Sequence, residues 1–224
     1  GRSTRDALIA QGVDEARIHV AAHPPMRLSS ASAADMASIA APTAPRLLFF
    51  GTIRPYKGVD LLIDACLSLW RAGHRFELVL AGKPFMDVQP MLDRVRAAGF
   101  SDALTTDFGF LSEPRLDAHM AHADILVFPY RHIDSSGAFL SALHHGKAMV
   151  TSDAGMFAAL PEGVARRAQA GNVPALAQAL LPLIESGAIR RDLGAQALAY
   201  GAKTGNWTDM ARATMQIYER VVDA

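Results

Sequence analysis

The 224-residue sequence predicts an α/β fold with a doubly wound parallel sheet, and three observations carry that prediction. Short apolar runs alternate with amphipathic segments along most of the chain. Runs such as Leu47-Leu48-Phe49-Phe50 and Ile125-Leu126-Val127-Phe128 do not alternate with polar residues, as expected of strands covered on both faces. Half of all residues are hydrophobic, enough at this length to bury a sizeable core. A sheet between two helical layers satisfies all three.

The elements follow in order. Thr4–Ala10 reads as the end of a helix and Arg17–Val20 as a short strand, with nothing before them to pack against, as if a fold were entered partway through. Residues 25–45 carry a Ser/Ala cluster and Pro25, Pro42 and Pro45, a composition suited to a linker, so the domain boundary is expected there. Beyond it, apolar runs predict strands at Arg46–Phe50, Phe76–Ala81, Leu104–Phe108, Ile125–Phe128 and Ala148–Ser152. Amphipathic stretches predict the intervening helices Val59–Ala72, Val88–Ala98, Glu113–Ala121 and Ala138–His145. Val173–Glu185, Ala188–Gly201 and Asn206–Val222 are helical in pattern, with breaks expected at Pro182, Gly187 and Gly205.

Composition excludes several functions. Lys plus Arg equals Asp plus Glu at 22 each, which removes the broad cationic field that non-specific nucleic-acid binding needs. The single cysteine, Cys66, rules out a disulfide framework and reads as a packed core thiol in a reducing, cytoplasmic setting. The sequence holds neither an apolar stretch near the roughly 20 residues of a membrane span nor the apolar block of a signal peptide. Peripheral membrane association is the most it suggests. His119 and His122 lack a third ligand in sequence, and the adjacent His144 and His145 point in different directions on a helix, so solvated or capping histidines and no metal are expected. No Gly-x-Ser-x-Gly elbow is present, and the methionines read as core filling.

In an open parallel sheet, ligands bind beyond the carboxyl ends of the strands. Two loops in that position stand out. Gly51-Thr52-Ile53-Arg54-Pro55-Tyr56-Lys57-Gly58 joins a strand to a helix and combines glycine, two cations and a helix start, which suits a phosphate or diphosphate. The same spacing equally suits a solvated turn with two surface cations. Tyr130-Arg131-His132-Ile133-Asp134-Ser135-Ser136-Gly137 ends in two hydroxyls and a glycine at a helix start, fit either to cap that helix or to offer amides to a phosphate.

These loops and their surroundings resemble glycosyltransferase family 4, whose members have the GT-B architecture of two Rossmann-like domains facing across a cleft. The matching text is Leu48-Phe49-Phe50-Gly51, Arg54-Pro55-Tyr56-Lys57-Gly58, Leu61-Leu62-Ile63-Asp64-Ala65, Leu80-Ala81-Gly82 and Ala123 to Arg131. Ser136-Gly137, Gly146-Lys147 and Thr151 to Gly155 continue it, with Trp207 and Tyr218 in the tail. The resemblance spans Arg46 to Val222 and implies a Rossmann-like C-terminal, nucleotide-sugar-binding domain over residues 46–224. Residues 1–24 resemble the end of an N-terminal domain, with His23-Pro24 leading to the hinge. The resemblance implies a nucleotide diphosphate sugar donor, with Gly51, Arg54 and Lys57 around the diphosphate. Backbone groups at Phe110 and Leu111 would hold the base, and the helix start at Ser135, Ser136 and Gly137 would add amides. It implies no cofactor and no metal, and transfer with retention to a glycan or glycoconjugate acceptor held by an N-terminal domain. The family's paired glutamates fall here on Ser141 and near Ile133 or Asp134, so Asp134 would supply a shorter carboxylate. A degenerate, non-catalytic module of the same fold and a nucleotide-sugar epimerase relative are the competing readings. Uridine, guanosine and adenosine all remain open as the nucleoside.

Overall fold

The apolar runs assemble, in a computed structural model that describes residues 2–21 and 23–222, into one six-stranded sheet. Its strands are Arg46–Phe50 (β1), Glu77–Ala81 (β2), Leu104–Asp107 (β3), Ile125–Phe128 (β4), Ala148–Ser152 (β5) and Arg166–Ala168 (β6). All are parallel, in the order β3-β2-β1-β4-β5-β6. The chain therefore reverses its direction of growth between β1 and β4, the switch point at which crevices open above a parallel sheet. The helices are Arg2–Ala10 (α1), Ala33–Ala37 (α2), Val59–Arg71 (α3), Gln89–Ala97 (α4), Glu113–His122 (α5), Gly137–Ala142 (α6), Val173–Glu185 (α7), Gly187–Lys203 (α8) and Trp207–Val222 (α9). No described helix is long and apolar enough to cross a membrane.

Burial follows the pattern that the unalternating runs predict. Every residue of β1, β4 and β5 is buried, because helices cover both faces of the sheet. The core fills with aromatics on two sides. Trp70 stacks on Phe76 and Phe100 at 5.1 and 5.5 Å, and its indole N–H donates to the Phe76 carbonyl. Phe128, Tyr130, Phe139 and Phe157 pack mutually at 5.2–6.2 Å beneath the end of β4 and give the loop that follows a rigid floor.

Four features depart from the sequence expectations. Arg17–Val20 is not a strand. Glu15–Arg17 is a 3-10 turn capped by the Asp14 carboxylate, and the residues after it pair with no sheet edge. Residues 25–45 contain α2, closed by a capping box in which Ser32 and Asp35 serve each other's backbone. This segment is tied to α5. Glu113 accepts from the Ser29 amide and hydroxyl, Asp117 accepts from the Ala31 amide, and His122 contacts the Met36 carbonyl. Strand β6 has two arginines in three residues and no apolar run to announce it, yet pairs with β5 through Val150↔Arg166. Finally, α7 runs through Pro182, which lies in its last turn and whose carbonyl still accepts from the Ser186 amide.

The strand ends come unusually close. Gly82 has φ +135°, and a Cβ there would lie 2.0 Å from the Gly51 carbonyl oxygen. No side chain fits between these two backbones. Gly82→Ala is therefore expected to destabilise the fold by about 2–4 kcal/mol through combined strain and overlap, read from the urea unfolding midpoint.

Candidate functional site

The loops after β3, β2, β1 and β4 lie side by side along the carboxyl edge of the sheet. Pairing does not stop at the strand ends. The Gly51 amide donates to the Ala81 carbonyl (2.9 Å), Ile53 to Lys83 (2.8 Å), and Phe85 to Ile53 (2.8 Å). This short parallel extension fixes the chain up to buried Ile53. Pro55–Lys57 then forms a 3-10 turn closed by Gly58 at φ +67°, where a Cβ would meet the Pro129 carbonyl at 2.1 Å.

That turn drives Lys57 inward. It is 8 % exposed, with its ammonium 5.5 Å from the Tyr130 ring centroid and 3.4 Å from where a Gly51 Cβ would stand. Among the described residues its ammonium has no hydrogen bond and no carboxylate partner. Burial, with repulsion from Arg54, pushes its pKa down to about 8. Arg54 is exposed and lies with its guanidinium carbon 4.3 Å over the Phe85 ring. A buried cation without a counter-charge is costly in the free protein. Its chemical capacity is to accept an anion.

The second loop is joined to the first. The Arg131 amide donates to the Tyr56 carbonyl, and its guanidinium donates to the Pro55 carbonyl and in a fork to both oxygens of Asp60 (2.8 and 2.5 Å). The Arg131 hydrogen bonds hold the Asp60 carboxyl below its ordinary range, and Asp60 raises Arg131 in turn. Tyr130 is buried, and burial pushes its phenol up. Ser136 caps α6, its hydroxyl accepting from the Phe139 amide at 3.2 Å.

The sequence candidates thus fall into three places. Gly51, Arg54 and Lys57 form one cradle. Asp134, Ser135, Ser136 and Gly137 lie on the loop that Arg131 ties to it, with Ser135 and Gly137 exposed and Asp134 accepting from the Thr4 hydroxyl of α1. Phe110, 77 % exposed, and Leu111, packed on the core, follow β3 on the other side. Ser141 is buried within α6. Lys83 and Phe85 were missed, although Ala81-Gly82-Lys83-Pro84 follows a strand directly and the same strand-end logic reaches it. Lys83 places its ammonium 4.4 Å over Phe110 and 5.5 Å over Phe85.

Two of the histidines, His119 and His145, are not the solvated or capping groups expected. His119 is buried and bonds Asp107 at 2.7 Å, where Arg115 also donates at 2.6 Å. His145 bonds Asp117 at 2.8 Å. Carboxylates one helix or strand away, invisible to local spacing, explain the difference. Burial keeps His119 below its ordinary pKa. Among the described residues no three His, Cys, Asp or Glu side chains cluster to hold a metal. Cys66 is buried in α3, where burial raises its thiol.

A parallel sheet with two cations at its switch point offers a site for an anion, and comparison with known proteins gives the family. The model of the family "Glycosyl transferases group 1" matches residues 44–186, and the chain belongs to that family. It is 34 % identical over 99 residues to the GDP-mannose:glycolipid 4-beta-D-mannosyltransferase of Xanthomonas campestris pv. campestris, covering 44 % of this chain and 27 % of that protein. It is 30 % identical over 174 residues to the MMP alpha-(1->4)-mannosyltransferase of Mycolicibacterium hassiacum, covering 75 % of this chain and 41 % of that one. The matched stretches cover less than half the length of these curated relatives. Among solved structures, Anabaena Alr3699/HepE in complex with UDP superposes with a TM-score of 0.78 at 18 % identity, over 100 % of this chain and 62 % of that one. Sucrose-phosphate synthase from Thermosynechococcus elongatus gives 0.74 at 20 % identity, over 89 % and 52 %.

Lys57→Met keeps the unbranched shape and removes the charge. At pH 7 and without ligand it is expected to raise unfolding free energy by about 1–3 kcal/mol. The folded pKa, about 8, lies below the ordinary 10.5. Between these values the unfolded wild type binds more protons, so its stability rises with pH and the gap to the variant closes. Denaturant titrations of both proteins from pH 7 to 10 check this.

Proposed function

We propose that this chain is the donor-binding half of a retaining glycosyltransferase that uses a nucleotide diphosphate sugar. The observation that carries the reading is Lys57, a buried cation without a carboxylate partner among the described residues, with Arg54 beside it on the loop after β1. A diphosphate would supply the missing counter-charge. In the reaction the two cations, with backbone amides at Ser135, Ser136 and Gly137, would stabilise the negative charge that grows on the departing nucleoside diphosphate. The family resemblance assigns Asp134 and Ser141 to contacts with the donor sugar and ribose. Two relatives named as mannosyltransferases, one with GDP-mannose in its name, and a neighbour complexed with UDP support a nucleotide-sugar donor. In this reading residues 1–24 belong to an acceptor-binding domain, 25–45 form the connection and 46–224 the donor domain. The chain alone binds donor but does not turn it over.

The second reading, a module that kept the fold without catalysis, draws on buried Ser141 and on Asp134 already engaged by Thr4. Calorimetric titration with uridine, guanosine and adenosine diphosphates separates the two. Saturable binding of one nucleotide, weakened about 100-fold or more in an Arg54→Ala/Lys57→Ala variant, supports the transferase. Absence of binding by all three supports the module.

The same titration has a pH dependence of fixed sign. A diphosphate favours protonated Lys57, whose free-state pKa is about 8. Affinity is expected to fall as pH rises from 7 to 9.5, and Lys57→Arg, charged throughout, is expected to flatten that fall.

A further inference from the structure

The amino end of the sheet, opposite the cradle, holds a second gathering of cations. A cavity of about 230 Å³ opens where the chain enters β4 and β5 and where α8 begins, and its charged lining is Lys147, Arg190, Arg191 and Asp124. The four residues of β4 separate it from the cradle by about 13 Å, so the two lie on opposite edges of the sheet.

The cations converge. Adjacent positions on a helix point about 100° apart, yet the guanidinium groups of Arg190 and Arg191 both turn back over the first turn of α8. A Cβ at Gly187 would lie 3.5 Å from Arg190 Nη2 and 3.4 Å from Arg191 Nη1. Arg190 is held in place, since its Nη1 donates to the Leu183 and Ile184 carbonyls at 2.7 and 3.3 Å, and its Nη2 has no partner among the described residues. Lys147 arrives from the turn before β5, its ammonium donating to the Ala121 carbonyl at 2.8 Å. Counter-charge is short. Asp124, the one carboxylate in the lining, already accepts from the Arg46 amide at 2.9 Å and faces Arg190 Nε at 3.5 Å. The neighbouring carboxylates are engaged elsewhere, Glu185 with His74 and Asp192 with Gln196. Arg191 has no hydrogen bond or ion pair among the described residues. In a chain whose 22 cations equal its 22 anions, three cations here meet one carboxylate.

Holding like charges together costs free energy that a bound anion recovers. A carboxylate would engage one guanidinium fork. A phosphate presents oxygens in a tetrahedron with up to two charges, so it can meet an ammonium and two guanidinium groups arriving from different sides. We propose that Lys147, Arg190 and Arg191 form a second anion site, remote from the cradle, that takes the phosphate group of a solute or of a lipid headgroup. It does not depend on the donor reading.

The experiment is titration with inorganic phosphate, followed by the amide resonances of Gly146, Gly187 and Ala188 at an ionic strength held constant with chloride. It uses the Arg54→Ala/Lys57→Ala variant, so that the cradle does not compete for the probe. Saturable shifts at these amides are expected, with Kd of about 1 mM or tighter. Arg191→Gln, which removes no contact within the described chain, is expected to weaken binding about 5-fold, and Arg191→Gln/Lys147→Gln about 20-fold. Shifts that do not saturate, or an affinity unchanged by the double substitution, would overturn the proposal. Sedimentation with vesicles separates the two sources. Retention on phosphatidylglycerol but not phosphatidylcholine, lost in Arg191→Gln/Lys147→Gln, assigns the site to a lipid headgroup. Phosphate binding without retention assigns it to a phosphorylated solute.

Discussion

The site depends on a steric constraint between two glycines. Gly82 leaves no room for a side chain against the Gly51 carbonyl, so the chains leaving β1 and β2 continue in register past the sheet through Ile53, Lys83 and Phe85. This extension decides where the cations stand. Because Ile53 is buried and paired, the turn at Pro55–Lys57 begins at a fixed point and Lys57 enters beneath it, beside Tyr130. Because Lys83 and Phe85 lie on the opposite side of the same pairing, their side chains meet Arg54 and Phe110. One backbone contact thus sets both the buried and the exposed charges.

Much of this was legible because the strands are buried on both faces. β1, β4 and β5 keep the expected bounds because the apolar runs 47–50, 125–128 and 148–150 make up most of each strand. The loop cations Arg54 and Lys57 were legible from strand-end position and a helix start. What was not legible is non-local. Arg166–Ala168 is a strand because β5 offers an edge, not because of its own residues. His119 meets a carboxylate because Asp107, twelve positions away, stands at the end of β3 beside α5. The depth of Lys57 cannot be read from Arg-Pro-Tyr-Lys-Gly, which a solvated turn would satisfy equally. Lys83 carried a readable signal, a cation directly after an apolar strand and a glycine, and it gains meaning only when Phe110 arrives from another strand.

The segment at residues 25–45 shows how composition can mislead about order. Its serines and alanines lack the apolar content to form a core, yet they are hydrogen-bonding partners and small surfaces for α5. Glu113 and Asp117 take up the amides of Ser29 and Ala31, and Ser29 hydrogen bonds hold the Glu113 carboxyl below its ordinary range. Polar chain of this kind is ordered by the carboxylates it finds, with little burial of its own.

The Arg131–Asp60 fork has a thermodynamic consequence for how an anion would be captured. Asp60 sits in the first turn of α3, Arg131 on the far loop, and the guanidinium also reaches the Pro55 carbonyl between them. The two loops behind the cradle are therefore one bracket with a single set of positions. Their conformational entropy is surrendered when the domain folds, which leaves little to lose on ligand arrival. Capture at such a site is governed by charge and desolvation, and its rate is set by encounter with a surface already in its final shape.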